Sequence, residues 1–200
     1  MEDGGSSGFP SSFRIPMLTL TERQTLLRIA RHSIACRLRS ERFSAPDCLT
    51  DALRSPAGSF VTLRKGNDLR GCIGSVIAVA PLHRSVADSA VNAAFRDPRF
   101  APLRNEEFSF VSIEISVLGP IERVTDVSSI VVGRDGLIVR HGESAGLLLP
   151  QVATEQRWDR DTFLSHTCLK AGLEPDQWRR ERCVIERFDA EVFGEEQLHQ

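Results

Sequence analysis

The clearest pattern of apolar positions begins near residue 26. Leu27, Ala30, Ile34 and Leu38 recur at helical spacing, and Leu26 and Ile29 widen the stripe. Thr21, with Gln24 three residues on, fits a capping box at the start of this helix. His32 sits off the stripe beside Arg31 and reads as a solvated histidine, whereas Cys36 lies near the stripe and reads as packing. A second stripe runs through Leu82, Val86, Ala90, Ala93 and Ala94. Pro81 suits its first turn, and Asp97-Pro98 stops it. Its many alanines imply a close neighbour. A third helix is expected from Arg157 to Lys170, with Trp158, Phe163, Leu164 and Leu169 apolar and Gly172 beyond its end as a C-cap.

Elsewhere the period drops to two, the signature of strands. From Phe110 to Leu118, Val111, Ile113, Ile115 and Val117 face one way and Ser112, Glu114 and Ser116 the other. Ser59–Leu63 and Leu69–Ser75 flank the turn-like Lys65-Gly66-Asn67-Asp68 and predict a β-hairpin. Ile130–Val132 and Leu137–Val139 flank Gly133-Arg134-Asp135-Gly136 and predict another, after which His141-Gly142-Glu143 turns into Leu147–Pro150. Cys183–Phe188 reads as a last strand. Residues 40–58 are irregular, with a short helix near Asp47–Leu53. The stretch from Lys65-Gly66-Asn67 to Gly74 matches the stretch from His141-Gly142-Glu143 to Pro150 in spacing. Strands and helices in this mixed order predict an α+β fold.

Composition narrows the function classes. The 41% apolar content supports a sizeable core, and 25 basic against 27 acidic residues leave no basic field for nucleic acid or anionic lipid. No run approaches the ~20 apolar residues needed to cross a bilayer, and the acidic N-terminus lacks the apolar stretch of a signal peptide. A cytoplasmic protein is expected. Residues 1–16, rich in Gly and Ser with Pro10 and Pro16, read as a disordered leader. The five cysteines are scattered and form no Cys-x-x-Cys pair, which argues against a disulfide scaffold or a structural zinc site.

The candidate chemistry centres on Leu69-Arg70-Gly71-Cys72-Ile73-Gly74-Ser75. Strand alternation puts Leu69, Gly71 and Ile73 on one face and Arg70, Cys72 and Gly74 on the other. Arg70 and Cys72 are then neighbours, roughly 7 Å apart at their Cα atoms. A cation beside a thiol lowers its pKa and raises the thiolate fraction, so Cys72 is the candidate nucleophile. His83 is the nearest histidine in sequence. The alternative is that Cys72 is a small packing residue. Glu114, on the polar side of its strand, is expected to meet Arg70 or to be an ordinary strand carboxylate. In Asp97-Pro98-Arg99, Arg99 either holds an anionic ligand or pairs with its own carboxylates. Gly71, Gly74, Ser75, Asp97 and Arg99 are the candidate ligand-binding residues. His166 and Cys168 do not share a helix face, so no metal site is expected, and no motif calls for a cofactor.

The same motif strand carries a resemblance. With Asn92–Phe100, Ile113–Leu118, Val132–Leu137, Leu147–Val152 and Cys168–Leu173 in order, it resembles the AMMECR-type domain family, called AmmeMemoRadiSam system protein A in bacteria and archaea. The resemblance covers residues 17 to 194. It implies one domain of two interlocked halves, about 17–120 and 121–194, related by a pseudo-dyad. The family's activity is unresolved. The resemblance implies an accessory component acting with a Memo-type protein and a radical S-adenosylmethionine protein. The alternative is a thiol-dependent enzyme using Cys72 with Arg70 and Glu114.

Overall fold

A computed structural model of the chain describes residues 18–197, so the expected leader lies outside the described residues. The first helix, α1 (Leu20–Leu38), is capped two residues before the expected cap at Thr21. Thr19 is its N-cap: its hydroxyl accepts the Glu22 amide, and Glu22 accepts the Thr19 amide at 2.8 Å. A carboxylate in the first turn also complements the helix dipole, which Gln24 would not do.

After a four-residue helix, α2 (Asp51–Arg54), the chain makes a hairpin of β1 (Ser59–Lys65) and β2 (Asp68–Ser75). Gly66 turns it at φ 59°, in the left-handed region that suits glycine. Then come α3 (Leu82–Phe95), the short α4 (Asn105–Phe108), β3 (Ser112–Leu118) and the two-residue β4 (Glu122–Arg123). The second hairpin pairs β5 (Asp135–His141) with β6 (Ser144–Leu148), and Gly142 turns it at φ 60°. The described residues end with α5 (Pro150–Glu155), α6 (Arg160–Lys170) and β7 (Val184–Gly194), followed by a 3-10 turn at Glu195–Gln197.

The strands form one antiparallel sheet in the order β2-β1-β3-β7-β5-β6, with β4 against β7. Each half contributes a hairpin at the outside and a single strand at the centre. The long β7 joins them: Val184–Asp189 pairs with β5 and Ala190–Gly194 with β3. On one face, α1 and α3 cover the first half with Ile34, Ala90, Val61, Ile115 and Phe193 in the core between them. The small residues of α3 allow the close approach, and Ser33 of α1 donates to the Ala87 carbonyl at 3.3 Å. Under α6, Phe163, Leu164, Leu137 and Ile185 make a second cluster. Leu118, Ile138, Leu149 and Phe188 make a third. Partly buried Phe60, Val76 and Val152 pack against it.

Two expectations are corrected. Ile130–Val132 is not a strand, because the Asp135 carboxylate accepts the Val131 amide at 2.9 Å and bends 131–135 into a turn. The second hairpin therefore turns at Gly142 rather than at Gly133–Gly136. The expected helix 157–170 is also shorter. Arg157 takes a positive φ of 55°, and Asp159 caps α6 by accepting the Thr162 amide at 2.8 Å, so Trp158 falls in the linker and stacks on His166.

Candidate functional site

The hairpin register sets the site. Thr62 of β1 lies between Cys72 of β2 and Glu114 of β3, so the three form one row across the sheet. Val61, Leu63 and Ile113 point to the helical side and are buried. The polar row points to the opposite side. There α5 overhangs: Gln151 Nε2 donates to Ser116 Oγ at 3.4 Å, and Glu155 pairs with Arg64 at 3.3 Å.

A β-bulge changes the expected geometry of the motif. Leu63 pairs with Gly71 and Arg64 with Leu69, which leaves Arg70 without a cross-strand partner. The bulge breaks strict alternation, so Leu69 is exposed rather than buried, and Arg70 leaves the Cys72 face. Its guanidinium binds both Glu107 oxygens, at 2.8 and 3.0 Å, and the Ala101 carbonyl at 2.9 Å. Its side chain is only 12% exposed. The expectations that Arg70 activates Cys72 and that Glu114 meets Arg70 are both corrected. Glu107, on α4, takes the role expected of Glu114.

Cys72 is half-buried, and burial pushes its thiol up. The Thr62 hydroxyl, donating to Sγ at 3.3 Å, and the Arg99 cation pull the other way, while Asp97 and Glu114 add to the rise. The net result keeps the thiol protonated near neutral pH. His83 is not a base for it: on α3, its Nδ1 meets the Leu53 carbonyl at 2.9 Å. Glu114 behaves similarly. Burial raises its pKa, Arg64 opposes this, and Glu155 and Glu196 reinforce it. At both the thiol and the carboxylate, burial outweighs the nearby cation, Arg99 for Cys72 and Arg64 for Glu114.

Asp97 and Arg99 are brought to the motif, as a structural latch. Asp97 Oδ2 accepts the Cys72 amide at 2.9 Å on the open edge of β2, and Arg99 holds both Asp97 oxygens. Arg99 also donates to the Cys72 carbonyl at 3.4 Å. The Asp97 carboxyl is held well below the usual carboxylate range, chiefly by its hydrogen bonds from Arg99. The motif glycines serve packing. A Cβ on Gly71 would lie 2.2 Å from the Ala93 carbonyl oxygen of α3, and one on Gly74 would lie 2.2 Å from the Ser59 carbonyl oxygen. Ser75 Oγ accepts the Ile77 amide at 3.1 Å and shapes the following turn. Among the described residues no group of three His, Cys, Asp or Glu side chains converges to hold a metal ion, and no helix is long and apolar enough to cross a membrane.

Sequence reasoning missed Thr62, Gln151 and Glu107. Thr62 was one residue out of reach, because counting back through the Lys65–Asp68 turn puts it opposite Gly71, and only the bulge at Arg70 brings it opposite Cys72. Gln151 and Glu107 arrive from distant segments with no local signal.

The family model AMMECR1 matches residues 27–193. A protein of Methanothermobacter thermautotrophicus is 45% identical over 186 residues, covering 90% of this chain and 97% of its own length. A Methanopyrus kandleri protein is 44% identical over 189 residues, covering 90% of this chain and 91% of its own. The crystal structure of an uncharacterized Pyrococcus horikoshii protein superposes with a TM-score of 0.85 at 40% identity, covering 88% of this chain and 92% of that one. With a family match across nearly all of the described residues and the same fold in a solved relative, this chain belongs to the AMMECR1 family.

Proposed function

We propose that this protein is an accessory component that binds through the polar sheet face carrying Cys72, Thr62 and Glu114, rather than an enzyme that attacks through a thiolate. The observation that supports this reading is the commitment of Arg70 to Glu107, which leaves Cys72 with a burial-raised pKa and without the guanidinium expected to activate it. A protonated thiol is a poor nucleophile but a good small contact in a binding face. Glu114 fits the same role. It is a half-buried carboxyl on the same polar row, its pKa raised by burial, with no hydrogen bond to another side chain among the described residues. The family resemblance supplies the partners: a Memo-type protein and a radical S-adenosylmethionine protein.

Size-exclusion chromatography of the purified chain with those two proteins, taken from the same genome, tests the reading. Co-elution with at least one of them is expected, with Glu114→Lys abolishing it and Cys72→Ala preserving it. Separate elution of all three, or co-elution untouched by Glu114→Lys, contradicts it.

The thiol-dependent enzyme keeps one observation in its favour. Thr62 donates to Sγ and the Arg99 cation is close enough to favour the thiolate. Under that reading Cys72→Ala abolishes the protein's activity in cells even though partner binding persists.

A further inference from the structure

We propose that a cleft on the outer side of α1, away from the motif strand, is a second ligand site that takes a small carboxylate with an apolar body. The cleft has a volume of about 870 Å³. That is within the range of roughly 300–1,000 Å³ typical of small-molecule sites. Its apolar lining comes from Ala35 of α1 and from the exposed Pro46 in the irregular segment that follows, while Leu27 and Ile29 at its base are largely covered by the core.

The charges around it have one sign left over. Arg31, Glu195, Arg28 and His32 all line the cleft. Glu195 is already used: it pairs with Arg31 at 2.6 Å and accepts the Ile113 amide at 2.9 Å. Arg31 further donates to the Val111 carbonyl at 2.6 Å. Arg28 differs. Its Nη2 donates to Thr25 Oγ1 at 3.1 Å, and it makes no ion pair among the described residues. The Thr25 hydroxyl in turn donates to the Thr21 carbonyl at 2.7 Å, which anchors the chain of donors to the helix. The His32 ring stands edge-on to Phe43, with centroids 5.6 Å apart. The cleft thus offers a positioned guanidinium and an imidazole above an apolar floor. A carboxylate matches the planar fork of a guanidinium with two parallel hydrogen bonds, and an apolar body fills the floor.

Cys48, exposed on the cleft wall, provides a local reporter. Calorimetric titration of the full chain with 4-phenylbutyrate, 4-phenylbutylamine and 4-phenylbutanol tests the proposal. These probes share a body and differ in charge. The carboxylate is expected to bind about tenfold more tightly than the other two. Arg28→Gln, at an exposed position, removes that preference without changing the melting temperature. Saturating 4-phenylbutyrate slows iodoacetamide alkylation of Cys48 and leaves Cys72 unaffected. The proposal is overturned by equal or tighter binding of the amine or alcohol, by absent carboxylate binding, by a preference that survives Arg28→Gln, or by unprotected Cys48.

Discussion

Asp97 accepts the amide hydrogen of Cys72 at 2.9 Å, and through that bond a loop from the end of α3 closes the open edge of the motif strand. An unpaired edge strand is an invitation to further strand pairing. Here a carboxylate, itself held by Arg99, occupies the position that a neighbouring carbonyl would take.

This latch predicts acid sensitivity. The Asp97 carboxyl is depressed, mainly by Arg99, so the folded state binds its proton more weakly than the unfolded state does. Its contribution is fully present above the unfolded value of about 3.9 and is lost as pH falls below it. Asp97→Asn should cost about 1.5–3 kcal/mol at pH 7, the range for hydrogen bonds to a charged group. Denaturant melts of both proteins from pH 7 to 3 check this. The gap should narrow with acid, and a gap that stays constant counts against the latch.

Glu114 has the opposite sign. Burial raises its pKa, so folding favours its protonated form, and the stability that goes with it is lost as pH rises through the folded value. Glu114→Gln removes the ionisation. Thermal melts at pH 7 should place the variant at or above the wild-type midpoint, with the difference shrinking toward pH 4. A clear drop in midpoint at pH 7 would show that Glu114 is structural.

Gly71 and Gly66, one tightly packed and one open, make a geometric prediction. The Ala93 carbonyl that a Cβ on Gly71 would meet is backbone and cannot swing aside. At Gly66 nothing lies within 4 Å, and only its positive φ opposes a side chain. Gly71→Ala should therefore cost about 3 kcal/mol, at the upper end of overpacking effects. Gly66→Ala should cost about 1 kcal/mol. Urea denaturation ranks them, and equal costs would contradict the packing of β2 on α3. Gly146 is a further probe, since its Cβ would lie 2.3 Å from the Ala171 amide nitrogen at the end of α6.

Because β7 pairs with β5 along one stretch and β3 along the next, the two halves share a strand. Differential scanning calorimetry should show one transition with equal calorimetric and van't Hoff enthalpies. Two resolved transitions would mean that the halves are separate folding units.

Much of this arrangement was legible in the sequence because it rests on local rules. The glycine turns at Gly66 and Gly142, the alanine face of α3 and the alternation of Val111–Val117 each follow from nearby residues and the two structural periods. The site was less legible for the same reason. A bulge shifts one residue in a strand that otherwise alternates, so Arg70 and Cys72 look adjacent on paper and part company in space. Nothing near Arg70 announces Glu107, because their ion pair depends on how α4 returns to the hairpin. Asp135 likewise reads as part of a turn, while its buried side chain is what cancels the expected strand at Ile130–Val132.

The pH dependence of Cys72 alkylation tests the central claim most directly. Iodoacetamide rates at each cysteine, followed by peptide mass spectrometry from pH 6 to 10, report the thiolate fraction at Cys72. With the thiol raised by burial and Arg70 bound to Glu107, the Cys72 midpoint should lie above the ordinary thiol value of about 8.5. Arg70→Met should leave that midpoint in place. A midpoint below 8.5 that rises in Arg70→Met would restore an activated nucleophile and contradict a binding face built around a neutral thiol.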